Sequence, residues 1–268
     1  MSFAPDYPAA RVHASPNHGP RARRVSLLIL HYTGLPTTQA ALDALTSPAN
    51  EVSAHYLVDE DGGVLQLVPE ARRAWHAGRS FWRGETDVNS ASIGVEISHP
   101  GYLDPRPYGD AQIASVIALA QDICARCGIS AEGVLAHSDV AIARKADPGE
   151  FFPWEKLARE GVGRWVEPAP ICPGDGLRIG DEGAAVRELQ RKLARYGYEI
   201  AVDGRFGERT ANAVAAFQRH FRPQRVDGEA DFSTRATLDA LLSSLRASPK
   251  RAIPQSSFPK AQKRRRRS

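Results

Sequence analysis

The segment HSDVAIARKADPG, residues 137–149, brings a histidine, a lysine and an aspartate together in a stretch with no clear helix or strand period. His137 follows an apolar run, as does His31 far upstream, and Asp147 lies in the same segment as His137. A catalytic zinc site needs three protein ligands and one open position. Side chains from distant parts of a chain converge where strands end at one sheet edge. These three residues are therefore candidate zinc ligands.

A candidate catalytic carboxylate lies in SIGVEIS, residues 92–98. Strand alternation places Gly94, Glu96 and Ser98 on the face opposite the apolar residues, with Gly94 leaving room beside Glu96. Each candidate also has a structural alternative. A histidine after a strand is commonly a satisfied core or rim residue, Asp-Pro-Gly is common turn chemistry, and Glu96 suits an ordinary exposed strand position. The helical HExxH zinc-protease motif is absent from the sequence.

The elements that would position these residues indicate an α/β fold, with a mixed central β-sheet flanked by helices. VSLLIL, residues 25–30, predicts a buried strand. Residues 53–68 predict two strands joined by the turn DEDGG. Apolar residues at helical spacing predict a long helix over about 110–127.

Composition divides the chain into five predicted segments. They are an N-terminal extension (1–24), a first domain (25–165), a linker (166–174), a second domain (175–245) and a basic tail (246–268). The linker VEPAPICPG is rich in proline and glycine. The tail has no apolar period, which predicts disorder.

The second domain contains a short internal repeat. VDGRFGERTANAV begins at Val202 and VDGEADFSTRATL begins at Val226. Each copy predicts an Asp-Gly turn, a threonine near a helix start and then a core-facing apolar residue. Two copies are fewer than a solenoid needs, so the pattern predicts a second small all-α domain of three helices.

The positive charge is confined to the tail. Residues 246–268 contain nine Lys or Arg and no acidic residue, and without them the formal net charge of +4 becomes −5. The body of the chain therefore gives no electrostatic case for specific nucleic-acid binding, whereas the tail is suited to contact with an anionic surface. The early apolar run is too short to be transmembrane, and residues 1–24 lack the apolar core of a secretory signal. These features predict a cytoplasmic protein, with a periplasmic or cell-wall-associated one as the alternative.

The chain has three cysteines, an odd number that excludes a fully paired disulfide framework within one chain. Cys124 and Cys127 form a CxxC, which is found in redox pairs and zinc sites. Both lie on the apolar face of the predicted helix, and no second CxxC exists. We therefore interpret them as core residues.

Four segments together resemble the zinc-dependent N-acetylmuramoyl-L-alanine amidases, whose fold is shared with peptidoglycan recognition proteins. They are ILHYTG (29–34), QLVPEARRAWHAGRSFWRG (66–84), ASIGVEI (91–97) and AHSDVAIARKADPGEFFPW (136–154). This resemblance covers residues 25–165, which would be a zinc amidase domain. DGRFGERTANAVAAFQ, residues 203–218, resembles a peptidoglycan-binding domain.

The resemblance implies a role for each matching residue. It implies Zn²⁺ bound by His31, His137 and Asp147, with Glu96 as the catalytic carboxylate and Lys145 as a catalytic cation. The expected substrate is peptidoglycan or a muropeptide, cut at the amide between N-acetylmuramic acid, including its 1,6-anhydro form, and L-alanine.

Aromatic residues are expected to contact this substrate. Tyr32, Trp75 and His76 are predicted to bind it, and Trp82 is a further candidate for the groove, with packing of a long loop onto the sheet as the alternative. Two other functions stay open. One is a non-catalytic peptidoglycan-binding protein of the same fold, and the other is a nucleic-acid-associated protein anchored by the basic tail.

Overall fold

The computed structural model of the chain describes residues 3–247. The strands in this range are β1 (Arg11–Val12), β2 (His18–Pro20), β3 (Leu27–Tyr32), β4 (Tyr56–Val58), β5 (Val64–Gln66), β6 (Arg72–Ala74), β7 (Ser92–Ile97) and β8 (Val134–Ala136). The helices are α1 (Thr38–Thr46), α2 (Val88–Ala91), α3 (Asp110–Cys127), α4 (His137–Val140), α5 (Trp154–Arg159), α6 (Ala184–Tyr196), α7 (Glu208–Phe221) and α8 (Phe232–Ala247).

A six-stranded sheet with the order β1-β5-β4-β7-β3-β8 forms the centre of the molecule. β3 runs parallel to β7 and β8, and β7 runs parallel to β4, whereas β5 is antiparallel to β4. The predicted mixed sheet and the predicted β4–β5 hairpin are thus confirmed. Because β3, β7 and β8 are parallel neighbours, their C-terminal ends lie at the same edge of the sheet.

Helix α3 covers one face of the sheet. Its apolar residues recur every three or four positions and pack on alternate residues of the central strands. This cluster includes Leu28, Leu30, Ile93, Val95, Ile97, Ile113, Val116, Ile117, Ala120 and Ile123. The helix ends where Gly128 adopts a φ of +69°, a conformation that favours glycine. Cys124 and Cys127 are half-buried free thiols against this cluster, in agreement with the core interpretation.

The opposite face of the sheet is covered in two parts. Helix α1 packs on β4 and β5 through Ala41, Leu42 and Leu45. Helices α6, α7 and α8 lie over β3 and β8, where a single apolar cluster joins the sheet to the helical unit. We use "helical unit" for residues 175–247. The sheet edge that carries the C-terminal ends of β3, β7 and β8 lies between these two covers.

The helical unit contains three α-helices, as predicted, and its two Asp-Gly turns are built alike. Gln190 donates to Asp203 Oδ1 at 2.8 Å and accepts the N–H of Gly204 at 2.8 Å. Gln218 donates to Asp227 Oδ1 at 2.9 Å and accepts the N–H of the next glycine at 2.9 Å. Both turn glycines have positive φ values, +82° and +74°. A buried glutamine therefore fixes each copy of the repeat.

The junction between the sheet and the helical unit is centred on Asp139. Its Oδ1 accepts the Tyr198 hydroxyl at 2.7 Å, and its Oδ2 accepts Nδ1–H of His220 at 2.7 Å and the N–H of Ala136 at 2.9 Å. Trp82 is 2% exposed and packs edge-on against two tyrosines of the helical unit. Of the two alternatives for Trp82, the structure favours packing over a position in the substrate groove, since its indole belongs to this junction.

Three further observations bear on the predictions. Residues 137–149, which show no clear helix or strand period in the sequence, begin with the four residues of α4, and Asp139 accepts the N–H of Ala136 at the start of this helix. The N-terminal extension contributes β1 and β2, which pair with β5 and β6. Within residues 3–247, none of the helices combines the length and the apolar composition that a bilayer crossing requires. The prediction of a disordered tail falls on residues beyond those described.

Candidate metal centre and active site

The three predicted ligands converge at the C-terminal edge of the sheet. His31 lies near the end of β3, His137 follows β8 directly, and Asp147 reaches the same point from the loop after α4. Nδ1 of His31 is 2.9 Å from Nδ1 of His137, and Asp147 Oδ2 is 3.0 Å from each. All three residues are buried.

The chemistry of this trio fits a zinc ion. Burial, followed by the nearby His137, lowers the pKa of His31 to about 4, which keeps its imidazole neutral. Burial alone would raise the pKa of Asp147, but His137 and His31 hold it below its usual range. Imidazole nitrogens and a carboxylate oxygen are typical zinc ligands. The three ligand atoms lie close enough together that one ion could contact all of them.

Glu96 lies beside this trio. It is the residue of β7 that pairs in register with His31 of β3. Among the described residues its Oε2 has no hydrogen-bond partner, although the atom is buried. Burial raises the pKa of Glu96 well above its usual range, and the charge of Asp147 adds to the effect while Lys145 opposes it. A buried carboxylate oxygen without a partner requires an explanation, and a bound substrate or water is the simplest.

A cavity of about 490 Å³ opens over these groups. It is lined by Glu96 and Lys145, by His137 and Asp147, and by an apolar wall from α1 and its flanking loops. The wall residues are Leu35, Ala41, Ala44, Leu45 and Val52. Lys145 is exposed and lies two positions before Asp147. The structure therefore brings both predicted catalytic side chains to the cavity that two of the three predicted ligands line.

The three predicted substrate-binding residues all line this cavity. Tyr32 and Trp75 are half-buried. Gly101 makes the position of Tyr32 possible, since a Cβ there would lie 2.6 Å from the ring. His76 is only 9% exposed, and its ring lies against His31. Its nitrogens are engaged inside the protein, which distinguishes it from the other two.

Arg144 is a cavity residue that sequence reasoning missed. Its guanidinium donates to the carbonyl oxygens of Ala77 at 2.5 Å and Arg79 at 2.9 Å. It thereby joins the loop after α4 to the loop after β6. Its position next to Lys145 in the ARKADPG segment was the available signal.

Comparison with known proteins bears on this site. Residues 21–150 match the family model described as N-acetylmuramoyl-L-alanine amidase, and residues 182–238 match one for a peptidoglycan binding domain. The N-acetylmuramoyl-L-alanine amidase AmiD of Escherichia coli K12 is 40% identical over 235 residues, which cover 82% of this chain and 83% of the relative. This chain belongs to the N-acetylmuramoyl-L-alanine amidase family.

Solved structures agree with this assignment. The E. coli AmiD complex with anhydro-N-acetylmuramic acid-L-Ala-D-gamma-Glu-L-Lys has a TM-score of 0.71 and 38% identity, covering 83% of this chain and 90% of that one. AMPDH3 from Pseudomonas aeruginosa in complex with anhydromuramic pentapeptide has a TM-score of 0.68 and 30% identity, covering 91% and 99%. The family resemblance and the enzyme class predicted from sequence are confirmed, and catalysis is favoured over a non-catalytic role.

Proposed function

We propose that this chain hydrolyses the amide bond between N-acetylmuramic acid and L-alanine, using a zinc ion held by His31, His137 and Asp147. One observation carries the proposal. Three ligand atoms lie about 3 Å apart, and His137, Asp147 and Glu96 line one cavity. Oε2 of Glu96 is buried and has no partner among the described residues.

The substrate class is supported by the family and by the cavity. Both solved relatives are complexes with anhydromuramic acid peptides, so we extend the 1,6-anhydro form to this chain. A cavity of about 490 Å³ lies within the range of roughly 300–1,000 Å³ for small-molecule sites. It would accommodate the amide with part of the sugar and of the stem peptide.

The proposed reaction assigns one task to each residue. Bound zinc supplies Lewis acidity, which polarises a carbonyl and acidifies water. Glu96 takes the proton of the attacking water at Oε2 and returns it to the leaving amide nitrogen. The Lys145 ammonium stabilises the negative charge that develops on the carbonyl oxygen. Tyr32 and Trp75 present aromatic faces to the substrate from the cavity wall.

We assign retention on polymeric substrate to the helical unit, on the basis of its family match. The compartment stays a prediction. The three cysteines are free, which accords with a reducing compartment, whereas a polymer-binding unit accords with the cell wall. Cell fractionation followed by immunodetection distinguishes the cytoplasmic prediction from the periplasmic alternative.

The test is direct product detection. Full-length protein is incubated with muropeptides that end in either anhydro- or reducing N-acetylmuramic acid, and products are identified by mass spectrometry. Free peptide beginning with L-alanine is expected, together with the intact sugar. A protein that retains these ligands without cleaving either one would be the non-catalytic binder. Deletion of 246–268, with retention on DNA measured against salt, tests the nucleic-acid alternative.

A further inference from the structure

The second ring nitrogen of His31 begins a chain of buried hydrogen bonds. Its Nδ1 faces the other two ligand atoms, while its Nε2 lies 3.0 Å from Nδ1 of His76. Nε2 of His76 lies 3.2 Å from Oγ of Ser92, and this Oγ lies 2.5 Å from the carbonyl oxygen of Val88. The three side chains are buried.

The Val88 carbonyl determines which group donates and which accepts in each of these hydrogen bonds. A carbonyl oxygen only accepts, so the Ser92 hydroxyl donates its hydrogen to Val88. The Ser92 oxygen then accepts from His76, which places the His76 proton on Nε2. A neutral imidazole carries one N–H, so Nδ1 of His76 is an acceptor. The proton of His31 therefore lies on Nε2, which leaves its Nδ1 with a lone pair directed at the proposed metal position.

The position of His76 is itself fixed by the chain around it. Asn89 Oδ1 accepts the backbone N–H groups of His76 at 3.0 Å and Ala77 at 2.8 Å. The ring lies over Gly94 of β7, where a Cβ would come within 2.4 Å of the His76 Cγ. A side chain at position 94 would displace the ring. The glycine is thus required by the close approach of His76 to the sheet.

The outer nitrogen of His137 is also engaged within the protein. Its Nε2 is 3.2 Å from the carbonyl oxygen of Ala77 and 3.4 Å from Nη2 of Arg144. Its Nδ1, like that of His31, lies 3.0 Å from Asp147 Oδ2.

We propose that His76 and Ser92 form a relay, anchored on the Val88 carbonyl, that fixes the tautomer and ring orientation of His31 for zinc binding. The inference rests on the proposed function, since it takes His31 as a ligand. His76 and Ser92 are then positioning residues. His76 acts on the metal through His31, and any contact with substrate is secondary. Groups that orient a metal-bound histidine typically change metal affinity by about 10–100-fold.

The test measures zinc affinity in full-length apoprotein by competition with a chromophoric chelator. His76→Phe removes both hydrogen bonds and is expected to weaken zinc binding by about 10–100-fold. His76→Asn keeps an acceptor for His31 and is expected to bind about tenfold more tightly than His76→Phe. It also serves as the informative variant if the phenylalanine protein does not fold.

Two serine variants form a matched pair. Ser92→Ala removes the anchor of the relay and is expected to weaken zinc binding by up to about tenfold. Ser138→Ala makes the same change at an equally buried serine beside His137, but its hydroxyl has no hydrogen-bond partner within the described part of the chain. Its zinc affinity is expected to equal that of the wild type. Equal affinities for both variants would overturn the relay.

A spectroscopic measurement addresses the tautomer directly. Long-range ¹H–¹⁵N correlation on the ¹⁵N-histidine apoprotein is expected to show His31 protonated at Nε2 in the wild type and a tautomer mixture in Ser92→Ala. A wild-type His31 protonated at Nδ1 would overturn the relay. A wild type that binds no zinc would instead overturn the proposed function, so the two failures are distinguishable.

Discussion

The cavity and the junction with the helical unit each bury a carboxylate, but the two carboxylates differ in their hydrogen-bond partners. Asp139 at the junction is 1% exposed and accepts three hydrogen bonds from within the protein. Glu96 in the cavity has a buried oxygen with no partner among residues 3–247. Because an unpaired buried oxygen costs stability, the contrast supports the proposal that the partner of Glu96 comes from outside the chain.

The two regions are nevertheless connected. Asp139 lies two residues after His137 in α4, so the junction holds the short helix that presents a proposed metal ligand. Leu27, Ile29 and Leu135 of the sheet belong to the same apolar cluster as the helical unit. The helical unit therefore supports the strands β3 and β8 that end at the proposed metal centre.

Metal removal is expected to have the largest effect. Dialysis against a chelator removes the only ion that the proposed reaction uses, so muropeptide cleavage should fall to background and return when zinc is restored. Release of L-alanyl peptide, measured by mass spectrometry before and after zinc addition, checks this. Full activity in protein shown by elemental analysis to be metal-free would refute the role of the trio.

Glu96→Gln is expected to have the second-largest effect. The amide keeps the shape of the side chain but cannot accept and return a proton, so turnover should fall by about 10²–10⁴-fold. Zinc content should stay at one equivalent, and thermal stability should not decrease, because the amide is uncharged and burial already disfavours the charged form of this carboxyl. Steady-state kinetics, elemental analysis and calorimetry together make the measurement. Unchanged turnover would leave Glu96 without a catalytic task.

Asp139→Asn is expected to have the opposite effect, a loss of stability with little change in turnover. An amide NH₂ group replaces one accepting oxygen among three donors, so the free energy of unfolding should fall by about 2–4 kcal/mol. Turnover per folded, zinc-loaded molecule should stay within about twofold. Denaturant unfolding and active-site-normalised kinetics separate the two quantities. A large loss of turnover with unchanged stability would reverse the contrast with Glu96.

Tyr198→Phe is expected to have the smallest effect. It removes one of the three donors to Asp139 and leaves a carboxylate oxygen without that partner, so the free energy of unfolding should fall by about 1–2 kcal/mol. Activity should be unaffected at temperatures where the protein is folded. The same unfolding experiment, run beside Asp139→Asn, gives the ratio of the two losses. A loss as large as that of Asp139→Asn would mean that Tyr198 alone holds the junction.

Several features were predictable because they depend on short-range patterns. Strand alternation placed Glu96 opposite the apolar residues of β7, and the residue types Asp and Gly predicted the two turns of the helical unit. The ends of apolar runs located His31 and His137. These signals are local, and parallel pairing then brings the strand ends together. The roles of those residues in catalysis remain predictions until the variants are measured.

Other features depend on contacts that no local pattern encodes. The approach of His76 to His31 requires the loop after β6 to fold over Gly94, across a separation of 45 residues between the two histidines. A tryptophan suits both a substrate groove and a buried junction between two parts of a protein. The residue type of Trp82 therefore could not distinguish these two positions. Helix α4 has four residues, too few to show a period.

The apolar cluster shared by the sheet and the helical unit has a mechanical consequence. Leu27 and Ile29 pack in the same cluster as Val214 and Phe217, so the cavity stays at one set distance from the helices. A flexible tether would let an active site sweep a volume around its attachment point. Under the proposed binding of a glycan strand by the helical unit, this spacing would set the distance between the bound segment and the cleaved amide. Stem peptides would then be removed at a constant distance from each binding position.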